Sequence, residues 1–173
     1  AGTPLPQRAP PPVSFPLSQL FRLEAAGVMP DDTVVSAAPG IGRVVVLRRS
    51  APDFGLFARI EFADTSLGAV AGSGPVRITV RPRPGEYALD LEVAGSLGPG
   101  ATLVFSYGSH FLAPAGARER YGSDLLFERE LRIGHLGDDD RVVLLTTWRP
   151  GADMLGADLP PTPAGRYLVV APR

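Results

Sequence analysis

The sequence contains no cysteine and no lysine, and it holds only two histidines and one tryptophan. Without cysteine there are no disulfides, thiolate metal sites, iron–sulfur clusters, thioether-linked haem or cysteine nucleophiles. Without lysine, Schiff-base chemistry and a phosphate-loop ammonium are excluded, and all 17 basic residues are arginine. His110 and His135 are too few for a histidine-rich zinc site within one chain. No apolar run approaches the roughly 18 residues of a membrane helix, so no membrane span is expected. A dominant sign of charge is missing as well. The net charge is −1, with 9 Arg against 7 acids over residues 1–86 and 8 against 11 over 87–173. Neither half carries the basic footprint of a nucleic-acid binder. The opening Ala1-Gly-Thr-Pro lacks an initiator Met and reads as a mature end cleaved at small residues, or as a trimmed chain. It gives the expectation of an extracellular or periplasmic protein.

Against these absences stand 173 residues, 45 % of them apolar, enough for one domain with a sizeable core. Gly 20 and Pro 19 are far too many helix breakers for a helical bundle or for the long helices of a doubly wound fold. The first twelve residues, with Pro4, Pro6, Pro10, Pro11 and Pro12, read as an extended proline-rich arm. Residues 13–173 read as one folded domain. Val13, Phe15 and Leu17 alternate with Ser14, Pro16 and Ser18, the two-residue period of a short edge strand.

Beyond the arm, Ser18 as cap, Leu20, Phe21 and Leu23 as an apolar patch and Gly27 as stop predict a short helix over 18–27. Strands are predicted at Thr33–Ala37, Arg43–Arg49, Phe57–Phe62, Val76–Arg81, Tyr87–Val93, Thr102–Tyr107, Leu125–Ile133, Val142–Trp148 and Arg166–Val170. Tyr87, Leu89, Leu91 and Val93 oppose Glu86, Asp90 and Glu92, which gives one dry and one wet face. Val44-Val-Val-Leu and Val142-Val-Leu-Leu are apolar on both faces and are expected near the middle of a sheet. Short links at Arg81–Glu86, Ala94–Gly100 and Gly137–Asp140 predict antiparallel neighbours. Pro114 is expected to start a short helix through Ala117, Arg118 and Tyr121, ended by Gly122. The stretch from Val76 to Tyr107 resembles the strand–turn run of immunoglobulin-like or fibronectin-like sandwich modules. The expected fold is all-β: an antiparallel β-sandwich, immunoglobulin-like or jelly-roll-like, of about eight to ten strands with one or two short helices.

For function, the longest insertion between strands, Gly108 to Asp124, draws attention, because binding residues gather on loops held by a rigid scaffold. Tyr107, His110, Phe111 and Tyr121 can line a partly apolar pocket there; the alternative is a covering loop in which Phe111 and Leu112 plug one end of the sandwich while His110 hydrogen-bonds to a backbone carbonyl. Ser109 beside His110, and Ser73, lack the strand–turn–helix elbow of a serine nucleophile. Glu119, Asp124, Glu128 and Glu130 are the four acids from which a catalytic pair for hydrolysis could be drawn, with Glu128 and Glu130 expected on one strand face. Arg118, Arg120, Arg129 and Arg132 interleave with them as in a solvated ion-pair face. Asp138–Asp140 can hold calcium or simply end a hairpin. Pro39-Gly-Ile-Gly-Arg precedes a strand rather than a helix, the wrong order for a phosphate loop. Trp148 is expected to pack in the core, with stacking on a sugar as the second reading.

The sequence thus points to a non-catalytic binding or structural module within a protein assembly, joined through the N-terminal arm or a sheet edge. Its candidate binding residues are Phe15, Tyr107, His110, Phe111, Tyr121 and Trp148, and no cofactor or metal is expected. A carbohydrate-binding module is the first alternative. A hydrolase using His110 or an acid pair from residues 119–130 is the second.

Overall fold

Where apolar and polar side chains alternate cleanly, the chain forms its long strands. The computed structural model describes residues 13–67, 75–95, 97–108 and 111–173. The arm over 1–12, Ser73, Ser109 and His110 lie outside these residues. In chain order the elements are β1 (Ser14–Pro16), β2 (Leu20–Arg22), β3 (Glu24–Ala25), β4 (Thr33–Ala37), β5 (Arg43–Arg48), β6 (Leu56–Phe62), β7 (Val76–Pro82), β8 (Ala88–Ala94) and β9 (Ala101–Ser106). They continue with β10 (Phe111–Leu112), α1 (Ala117–Tyr121), α2 (Asp124–Arg129), β11 (Arg132–Leu136), β12 (Arg141–Leu144), β13 (Thr147–Trp148), β14 (Met154–Asp158) and β15 (Gly165–Pro172). Strand outweighs helix by 48 % to 10 %, which makes the fold an all-β, sandwich-like one.

The larger sheet runs β1-β12-β11-β15-β8-β7-β4, with β2 also bonded to β15, and the smaller one runs β13-β14-β9-β6-β5. Every pairing among these strands is antiparallel. Phe57, Ile60, Phe62, Leu103 and Phe105 of the smaller sheet share one buried cluster with Ile78, Val80, Leu89, Leu91, Tyr167 and Val169 of the larger. Each such side chain contributes about 1.5–3 kcal/mol when fully buried. Leu168 and Val170 alternate with Tyr167 and Val169 along β15, so they emerge on the opposite face. There they join Leu20, Ala88 and Val142, with Phe15 and Leu17 packed against them.

Several expectations are corrected. Residues 18–27 form no α-helix: a 3-10 turn over Leu17–Gln19 leads into β2 and β3. Phe21, Leu23 and Ala25 enter the main cluster at a period of two, while Leu20 enters the second. The strands also satisfy their backbone: Leu23 N–H donates to Val169 O at 2.9 Å and Tyr87 N–H donates to Leu23 O at 3.1 Å. A ten-residue helix is marginal on its own, and these bonds outweigh it.

Residues 125–133 do not form one strand, because α2 occupies their first half. Ser123 Oγ caps this helix by accepting Leu126 N–H at 3.2 Å, and Asp124 and Arg129 sit at the ends that the helix dipole favours. The Ala94–Gly100 link makes no hairpin, since β8 lies between β7 and β15 and β9 lies in the other sheet. The link crosses between sheets and is fastened to the turn after β6, where Gly98 N–H donates to Ser66 O at 2.7 Å and Ser66 Oγ donates to Pro99 O at 2.9 Å.

Finally, β5 is an edge strand and not a central one. Val45 and Leu47 fill the core while Val44 and Val46 stand outside, 48 % and 43 % exposed.

Candidate functional site

The insertion between β9 and β11 closes one end of the sandwich with an aromatic column. Tyr107 leaves the end of β9 and is 1 % exposed. Its ring lies 5.9 Å from Phe111, Phe111 lies 6.1 Å from Phe127, and Phe127 lies 5.7 Å from Tyr121. Phe21 of β2 completes the group at 6.1 Å from Phe127. The structure therefore brings Tyr107, Phe111 and Tyr121 together, with fully buried Phe127 on α2 as the hub.

Two arginines that the sequence did not single out organise the polar side of this column. Arg149 Nη1 donates to Tyr107 Oη at 2.6 Å, and its Nη2 donates to the Glu128 carbonyl at 2.5 Å. Tyr107 Oη in turn donates to Glu128 Oε1 at 2.9 Å. Burial pushes the Tyr107 phenol up to about 12, opposed by the hydrogen bond from Arg149 and aided by the one to Glu128. Two strands over, just past the end of β5, Arg49 is 2 % exposed. Its guanidinium donates to Ala26 O at 2.7 Å and to Tyr87 Oη at 2.9 Å, and lies 5.6 Å from the ring centres of both Phe57 and Tyr87. Burial raises Tyr87 as well, with Arg49 pulling the other way. A small pocket of about 230 Å³ opens here, lined by Arg49, Tyr87, Tyr107, Gly108, Asp153 and Met154.

The acidic residues of this region do not converge. Asp124 is held below the usual carboxylate range by hydrogen bonds from Arg118 at 3.1 and 2.7 Å. Glu128 turns inward to Tyr107, whereas Glu119 and Glu130 are exposed. Glu128 and Glu130 share no strand face, because Glu128 lies within α2 and Glu130 is its C-cap. Asp139 accepts the Arg141 N–H at 3.2 Å, which closes the β11–β12 turn. Among the described residues no three metal-ligating side chains gather.

A groove of about 840 Å³ lies where the N-terminal segment meets the larger sheet, lined in part by Leu17, Leu20, Arg22, Glu86, Arg141 and Arg173. Several of its charges answer one another or hold the chain itself. Arg22 pairs with Glu86 at 3.1 Å, and Arg141 holds Ser14 at 3.1–3.2 Å. Phe15 sits opposite Val142 on β12, half-buried at this join and far in sequence from the other candidates.

Trp148 is not in the core. It ends β13 opposite Gly156 of β14, on the outer face of the smaller sheet, and is 39 % exposed. A Cβ on Gly156 would fall 2.7 Å from the indole Nε1 and 2.8 Å from Cε2. Bare backbone at 156 is what lets the ring settle there. The same row continues through Val104 and Arg59 to Val46 on the open edge. That edge, with Val44, Val46 and the 64 % exposed Ile41 before it, is an exposed feature the sequence did not mark.

No family model, curated protein or solved structure matches the chain.

Proposed function

We propose that the chain is a non-catalytic binding module that accepts an extended segment of a partner protein along β5. The observation that carries this reading is the state of the β5 edge. Edge strands of folded proteins are usually blunted by inward-pointing charge, proline, a bulge or a covering element. Here three consecutive valines, Val44 to Val46, occupy the middle of the strand, and two of them are exposed. Its one irregularity lies at the far end, between Leu47 and Arg48. Among the described residues β5 bonds on one side only, to β6.

The ends of the strand define the partner. Arg43 and Arg48 are both exposed, so full-length, in-register pairing with a second copy brings arginine beside arginine in either direction. Like charges in adjacent positions oppose that assembly. A strand with an apolar middle and acidic ends meets complementary charge at both arginines and apolar surface between them.

The test is titration with a synthetic extended peptide of alternating Val and Thr between terminal aspartates, followed by calorimetry. Binding is expected, and Val44→Lys with Val46→Lys is expected to abolish it at unchanged melting temperature. Equal binding by this double variant, or none by the native chain, overturns the reading.

A further inference from the structure

Away from the β5 edge, on the opposite border of the same sheet, Trp148 offers a second and independent surface. Its indole rests on Gly156 along the Nε1–Cε2–Cζ2 side, and the residue remains 39 % exposed to water. Among the described residues no acceptor takes the indole N–H. Side chains of one strand face recur every second residue, so Asp158 lies on the same face about 7 Å along β14 from Gly156. Asp158 is exposed and has neither hydrogen bond nor ion pair among the described residues. Beside it in register stands Thr102 of β9, whose hydroxyl both donates and accepts. Val104, next in the Trp148–Gly156 row, is 8 % exposed and gives the floor apolar character.

We infer that this shelf is a binding site for a pyranose ring of a glycan. A sugar presents an apolar C–H face and a rim of hydroxyls, and the shelf presents both complements. The indole gives polarisable flat area, the carboxylate of Asp158 accepts hydroxyl protons, and Thr102 serves either role. A flat and open arrangement suits one or two residues of a chain running across the sheet, where a small buried ligand would need a cavity. Gly156 is a positioning residue: it keeps the indole low enough for a ring to lie over it.

The chain holds one tryptophan, so intrinsic indole emission reports on this site alone. The experiment titrates the native chain with cellohexaose, chitohexaose, xylohexaose and maltohexaose, reading fluorescence and, in parallel, heat. A saturable emission change with at least one of them is expected. Gly156→Ala, which retains the reporter but displaces it, and Asp158→Ala are each expected to weaken that binding by about tenfold, or roughly 1.4 kcal/mol. Trp148→Ala is expected to abolish the heat signal, with near-UV circular dichroism of the tyrosines retained to show that the core is intact. Absence of saturable change with all four sugars overturns the inference. So does binding that survives Trp148→Ala unchanged.

Discussion

Gly156 and Trp148 are register partners in the β13–β14 hairpin, and the indole fills the space that a side chain at 156 would need, with Nε1 2.7 Å from the Cβ position. Substitution Gly156→Ala is expected to lift the ring into water without unfolding the sheet. The reading is a red-shifted emission of the sole tryptophan. The stability loss should be about 1 kcal/mol or less, because the group that moves is a partly exposed side chain on the border strand.

Phe127 links the rings of Phe21, Phe111 and Tyr121, and is fully buried. Phe127→Ala is expected to cost about 3–5 kcal/mol in denaturant unfolding. Phe111→Ala, at the half-buried rim of the column, is expected to cost less. Equal costs would mean that the column is not organised around α2.

Several of the long strands were legible because one face of each is wet. Val76, Ile78 and Val80 against Arg77 and Arg81 have only one orientation that hides the apolar side. Residues 20–25 were misread because a short apolar run serves either period, and only contacts with Val169 and Tyr87, distant in sequence, decide between them. In α2 the local signal was present, Ser123 followed by Asp124 and the helix formers Leu125 and Leu126, but it was masked by the strand-like alternation of Leu131 and Ile133 with Glu130 and Arg132 that follows. The valines of β5 read as a central strand because an exposed apolar edge departs from the usual rule, and such departures collect where a protein meets something else. Of the candidate site, the insertion residues Tyr107, Phe111 and Tyr121 did come together. Arg49 and Arg149 were passed over because arginine is a surface residue by default. The strand holding Gly156 was missed altogether, since glycine inside Met154–Asp158 weakens the pattern.

The cap of α2 is open to a direct check. Ser123→Ala removes the acceptor of Leu126 N–H and is expected to cost about 1 kcal/mol, with Ser123→Asp retaining most of the stability. Thermal unfolding of the three chains decides it.

All four tyrosines are pushed above the ordinary 10.0, chiefly by burial, Tyr107 to about 12. The folded chain therefore holds protons that the unfolded chain releases near pH 10. Stability from this source is complete below pH 10 and falls as pH rises through about 12. Phenolate absorbance of the native chain should stay low at pH 10, whereas the chain in denaturant titrates normally. A native titration near 10 would contradict the burial of the column.

The central claim is that β5 takes a partner strand on its open edge, and amide hydrogen exchange tests it residue by residue. With the aspartate-ended Val/Thr peptide added, amides of Arg43–Arg48 that do not bond to β6 should become protected, while β4 and β13 exchange as before. Peptide binding without new protection in β5, or protection confined to another strand, would contradict the account.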